Sequence, residues 1–130
     1  MNPRPASAGE RRVRANGLEF ACVEEGNGPL VLLLHGFPDT AGSWSRQMPA
    51  LASAGYHAVA PYLRGYPPTE IPHDGFFDRG TLATDVAGLI RELGDGEPVH
   101  LIGQDWGASI TYSIIALLFG LILFEDKDLA

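Results

Sequence analysis

One run constrains this chain more than any other: Pro98-Val99-His100-Leu101-Ile102-Gly103-Gln104-Asp105-Trp106-Gly107-Ala108. It reads as a short apolar strand entering a tight turn, with a glycine on either side of the turn. The segment beyond the turn is helical or buried, because the seventeen residues from Ala108 to Phe124 include no charge. The Gly-x-Asp-x-Gly pattern has the form of a nucleophile elbow, a cramped strand-to-helix turn that holds one side chain above a parallel sheet. Here that side chain is Asp105, and Gly103 and Gly107 shape the turn.

The rest of the chain supplies a sheet for such a turn. Arg12–Ala15 and Leu18–Glu24 read as two strands joined across Asn16-Gly17, a dipeptide suited to a hairpin. Leu30–Leu34 is five consecutive aliphatic residues, the signature of a strand buried on both faces. His35-Gly36-Phe37-Pro38-Asp39 then forms a loop. Ser43 is a candidate cap for a helix carrying Trp44, Met48, Leu51 and Ala52 on one face; Pro49 interrupts it and Gly55 closes it. Ala58–Ala60 is a weaker strand, followed by an irregular stretch to Asp78 whose prolines and glycine suit either a binding loop or a plain surface excursion.

Thr81–Leu93 is the clearest helix. Leu82, Val86, Leu89, Ile90 and Leu93 make its apolar stripe, Asp85 sits near its positive end, and Gly94 lies just beyond its last turn. The order strand, helix, strand, helix, strand, helix gives an α/β layered fold with right-handed crossovers. Residues 1–11 are expected to be a flexible arm, with the folded domain over residues 12–130. For the apolar end, the favoured expectation is a helix to about Phe119 followed by a strand over Leu121–Phe124. One long helix and a membrane span are the alternatives, since a span needs about 20 apolar residues.

Charge and cysteine usage narrow the function classes. Nine basic residues against sixteen acidic ones give a net charge of −7, which argues against a nucleic-acid partner. The basic residues Arg4, Arg11, Arg12 and Arg14 cluster near a Pro/Ala/Ser-rich terminus, read as a solvated arm with a targeting segment as the lesser alternative. The single cysteine, Cys22, excludes an internal disulfide and fits a reducing, cytoplasmic compartment. No His, Cys or Asp pair has metal-ligand spacing on one element, and neither phosphate-loop nor dinucleotide spacing is present. No metal or cofactor is therefore expected.

Asp105 on a turn has the chemistry of a nucleophile toward an electrophilic carbon, giving an ester. The amide of Trp106, at a helix start, and the amide of Phe37 are candidate oxyanion donors. A lone Asp between glycines is more often a turn residue, and the reactive reading rests on the flanking strand, helix and His-Gly-Phe-Pro loop. His35 reads as a hydrogen-bonding residue shaping that loop. His57 and His100 sit at strand starts, remote from the elbow, and nothing in the spacing of His73 recommends it. None of the four is a credible general base.

From Val13 to Tyr112 the sequence resembles the N-terminal half of an α/β-hydrolase of the epoxide hydrolase and haloalkane dehalogenase type. The resemblance rests on His35-Gly36-Phe37-Pro38-Asp39, Trp44, Leu63-Arg64-Gly65-Tyr66 and Gly103-Gln104-Asp105-Trp106-Gly107. It implies a mostly parallel sheet with flanking helices. It also implies an alkylated aspartate at Asp105, oxyanion donors at Phe37 and Trp106, and a loop shaped by His35, Gly36 and Pro38. Phe37 and Trp106 look most like soluble epoxide hydrolases, whereas similar dehalogenases often carry Asn or Glu at position 37. Gln104 stands where His is commoner.

The resemblance implies a small apolar epoxide, or a halogenated compound, with water as co-substrate. The family's lid tyrosines, acidic residue and C-terminal histidine have no match, so the chain is expected to be a fragment that reaches only the covalent intermediate. The rival expectation is a non-catalytic fragment whose exposed sheet edge and apolar tail are covered by a complementary chain or by self-association.

Overall fold

The computed structural model describes residues 8–128, with side chains described as far as residue 117. Five strands form one sheet in the order β1-β2-β4-β3-β5: β1 (Gly9–Ala15), β2 (Leu18–Glu25), β3 (Leu30–Leu34), β4 (His57–Pro61) and β5 (His100–Gly103). Strands β4, β3 and β5 are parallel, while β1 pairs with β2 and β2 with β4 in antiparallel fashion. The sheet is thus mixed, with its parallel part confined to the strands beneath the elbow. The opening hairpin turns on Asn16 (φ 49°) and Gly17 (φ 74°), two left-handed residues that match the twist of the flanking strands. Its first strand starts at Gly9 rather than Arg12, so only residues 1–7 of the expected arm lie outside the described residues.

β3 shows why the aliphatic run is uninterrupted. Side chains alternate across a strand: Leu30, Leu32 and Leu34 join Phe20, Val59, Val86, Leu89 and Ile110 in one core. Val31 and Leu33 join Trp44, Met48, Ala58 and Ala60 in the other. All five are buried, each contributing about 1.5–3 kcal/mol of apolar burial. Cys22 is also buried, and burial pushes its thiol up to about 12, leaving an unreactive core residue.

The helices depart from expectation in three places. A 3-10 turn spans Ala41–Trp44 and is capped by Thr40, whose side chain accepts from the Gly42 amide; Ser43 lies inside the turn. Helix α1 (Gln47–Ser53) then carries Pro49 in its first turn, where an amide has no intrahelical acceptor, so the proline does not interrupt it. Helix α2 (Arg79–Leu93) is capped by Asp78, which accepts from the Thr81 amide. Asp85 is well inside α2, and it serves a buried pairing rather than the helix dipole.

The third departure is at the end. Helix α3 runs from Trp106 to Asp128 without a break, so the strand expected over Leu121–Phe124 does not form. Leucine and alanine are good helix formers, and one internal glycine costs only about 1 kcal/mol. Gly120 by itself does not provide a helix-to-strand connection. Among the described residues no helix is long and apolar enough to cross a membrane.

Candidate active site

Two loops meet at the C-terminal edge of the parallel strands, one after β3 and one after β5. Leu34 pairs with Gly103 at that edge, and the Gln104 amide donates to the Leu34 carbonyl at 3.2 Å. The chain then turns sharply into α3. Asp105 sits at the turn with φ 55°, a left-handed conformation that is uncommon for a residue with a Cβ. The Ser109 amide donates to the Asp105 carbonyl at 3.1 Å, so α3 begins immediately behind it.

The flanking glycines serve close approach. Neither Gly103 nor Gly107 has a positive φ. A Cβ on Gly107 would collide with the Leu34 carbonyl and stand 2.9 Å from the His35 carbonyl oxygen. One on Gly103 would stand 2.7 Å from the Ala108 nitrogen, and one on Gly36 2.6 Å from the Asp105 Cβ. The two loops therefore interlock backbone against backbone, and the left-handed residue is the aspartate itself.

This interlock brings Asp105 to Phe37. The Phe37 amide donates to Asp105 Oδ2 at 3.0 Å. Hydrogen bonds from the amides of Phe37 and then Trp106 hold the carboxyl below its ordinary value of 3.8, against a smaller opposing effect of desolvation. The Trp106 amide belongs to the first residue of α3, one of the donors a helix leaves unsatisfied. Pro38 follows Phe37 directly, joined to it by a cis peptide bond.

His35 is fully buried beneath the loop. Its Nε2 accepts from the Leu63 amide at 3.0 Å, so the ring proton is on Nδ1, which donates to the Gly36 carbonyl at 2.9 Å. Burial lowers its pKa, against smaller opposing effects of the Gly36 bond and Asp39. Both ring nitrogens are thus committed, and Tyr66 packs edge-on at 4.7 Å. The other histidines lie elsewhere. His57 opens β4 and pairs with Glu24 at 2.9 Å. His100 opens β5 against Tyr56. His73 lines a separate recess with Asn16 and Glu70. Among the described residues no group of three His, Cys, Asp or Glu side chains is placed to hold a metal.

A cavity of about 380 Å³ opens beside the two amide donors, lined by Phe37, Leu63, Tyr66, Phe77, Leu82 and Trp106. Its size is that of a small-molecule site, and its lining is largely apolar. The Arg64 guanidinium reaches its border and is tied on three sides. It makes two bonds to Asp85 (2.7 and 3.0 Å), two to Asp74 (3.1 and 3.2 Å) and one to the Phe76 carbonyl (3.4 Å). Asn16 completes the group with a 2.8 Å bond to Asp85. Sequence reasoning assigns no role to Arg64, Asp74 or Phe77. One signal is present: Asp85 lies three residues after Leu82 and four before Leu89, on the buried stripe, where a carboxylate demands a partner.

The fold that carries this site has counterparts among known proteins. Residues 29–113 match the family model of the alpha/beta hydrolase fold. The chain belongs to that family. As an alpha/beta hydrolase it is 45% identical over 101 residues to an epoxide hydrolase of Caballeronia sordidicola, a match covering 77% of this chain and 30% of that protein. Epoxide hydrolase A of Mycobacterium tuberculosis is 42% identical over 107 residues, covering 80% of this chain and 33% of the relative. Among solved structures, an epoxide hydrolase from Vigna radiata matches with a TM-score of 0.78 and 42% identity, over 82% of this chain and 35% of that one. This alpha/beta hydrolase chain spans about a third of the length of these relatives.

Proposed function

We propose that the chain carries the nucleophilic half of an epoxide hydrolase site, with Asp105 as the nucleophile. The observation that carries this reading is the 3.0 Å bond from the Phe37 amide to Asp105 Oδ2 on a left-handed elbow residue. Oδ2 is the held oxygen, and Oδ1 attacks an oxirane carbon. A new C–O bond forms, the ring C–O bond breaks, and the departing oxygen takes a proton from solvent water to become the hydroxyl of a hydroxyalkyl ester. When water later attacks the ester carbonyl, negative charge develops on Oδ2, already facing the Phe37 and Trp106 amides. Removing one such donor in other enzymes costs about 10²–10³ in rate.

Ester hydrolysis needs a base, and none of the four histidines stands free beside Asp105. His35, the one beneath the site, has both ring nitrogens occupied. These residues therefore form the ester and hold it. The epoxide class rests on the activity for which the relatives are named. A halogenated alkane would be attacked at the same carboxylate with halide leaving.

The test is incubation with phenyloxirane followed by peptide mass analysis. One equivalent of adduct is expected on the peptide containing Asp105, with none in Asp105→Asn. Glycol is expected only when a C-terminal half of a relative is supplied. An unmodified Asp105 overturns the reading. A second reading, a non-catalytic chain that self-associates, is favoured by the exposed Ile102, Tyr112, Ile115 and Leu117 along β5 and α3. Sedimentation that stays monomeric at high concentration removes it.

A further inference from the structure

The lining side chains of the cavity differ in what holds them. Tyr66 is packed on His35, Leu82 is carried by α2 and Trp106 by α3. Phe77 comes from the irregular stretch between β4 and α2 and is 52% exposed. That segment ends on Asp78, the cap of α2, and the residues just before Phe77 are tied down by Arg64. From a site only 4% exposed, this guanidinium grips α2 through Asp85 and the loop through Asp74 and the Phe76 carbonyl. Asp74 in turn accepts from the Phe76 amide at 2.9 Å, closing a turn around Gly75 (φ 72°). Phe77 follows directly and lays its ring on Gly65, where a Cβ would stand 3.1 Å from the ring edge.

We propose that Phe77 is the specificity-determining residue of the cavity beside Asp105, selecting epoxides that bear an aryl group, and that Arg64 and Asp74 are positioning residues that hold it there. The inference rests on the nucleophilic reading of Asp105. An aryl substituent finds Phe37, Tyr66, Trp106 and Phe77 around the cavity, and aromatic pairs gain beyond their area when offset or edge-on. Phe77 touches the substituent and not the reacting atoms. Its loss changes which epoxide is preferred and leaves the ester chemistry in place.

The experiment compares labelling rates of phenyloxirane and methyloxirane at Asp105 in the parent chain, Phe77→Ala and Asp74→Ala. The phenyl-to-methyl rate ratio is expected to fall about tenfold in Phe77→Ala, a drop of the size an aromatic pair supplies. It falls several-fold in Asp74→Ala, which loosens the loop from its exposed end and leaves the Arg64–Asp85 pair intact. A second arm follows binding of 2-phenylethanol on the Trp106 indole N–H resonance, where Phe77→Ala weakens affinity about tenfold whether or not Asp105 reacts. A parent chain that binds the phenyl ligand but takes neither label overturns the Asp105 reading alone. An unchanged rate ratio, or an unchanged affinity, in Phe77→Ala overturns the specificity assignment.

Discussion

The Phe37 amide donates to Asp105 Oδ2 at 3.0 Å across sixty-eight residues of sequence. Two loops from neighbouring parallel strands thereby share one carboxylate, and the bond favours its charged form.

Labelling of Asp105 should follow that charge. The Phe37 and Trp106 amides lower its pKa below 3.8, so the anion persists throughout the ordinary range of solution pH. The labelling rate is expected to be flat between about pH 5 and pH 8, falling only below 3.8. A rate that halves at pH 5 would show that the amides do not hold the carboxylate. Stopped-time mass analysis across buffers measures it.

Gly107 is fixed by space. Gly107→Ala drives a methyl into the Leu34 and His35 carbonyls, with a cost of about 3 kcal/mol from overpacking against backbone that has no room to move. Gly42→Ala, whose Cβ would meet only Thr40 Oγ1 at 3.4 Å, should stay within about 0.5 kcal/mol of the parent. Urea unfolding of both variants makes the comparison.

Arg64 and Asp85 are 4% and 2% exposed. Arg64→Met strands the Asp85 carboxylate in the core and is expected to cost about 3–5 kcal/mol. The double variant Arg64→Met/Asp85→Leu removes both charges and should recover most of that loss. A double variant that recovers none of the loss would mean that the stranded Asp85 carboxylate is not what costs the single variant its stability. Thermal and urea unfolding read both.

His35 makes stability depend on acidity. Burial lowers its folded pKa below the ordinary 6.5, so the unfolded chain binds more protons as pH falls past that value. The contribution is complete above 6.5 and is lost on acidification, at up to about 1.4 kcal/mol per pH unit. Protonation would also place a second ring N–H against the Leu63 amide. Unfolding free energies between about pH 5 and 8 should slope upward with pH, and His35→Gln should flatten the slope.

Much of the fold is legible locally. The aliphatic run Leu30–Leu34 announces a doubly covered strand, Asn16-Gly17 a hairpin, and Gly103–Gly107 a cramped turn, because each depends on a few adjacent residues obeying sterics or side-chain alternation. The meeting of Phe37 with Asp105 is readable only as an expectation, since the two loops are far apart in the chain. The long helix α3 escapes a local reading because a strand and a buried helix look alike in an unbroken apolar run, where periodicity gives no vote.

The sequence by itself determined the strands, the clearest helix and the residue types at the elbow. Tertiary structure decided the rest. It converted Gly36, Gly103 and Gly107 from conformationally free residues into contact points. It turned Asp85 from a helix-dipole carboxylate into the buried partner of Arg64, and brought Phe77 to the cavity lining. Steric limits and alternation act between neighbours in sequence. Close approach and buried charge pairing exist only once distant segments have been brought together.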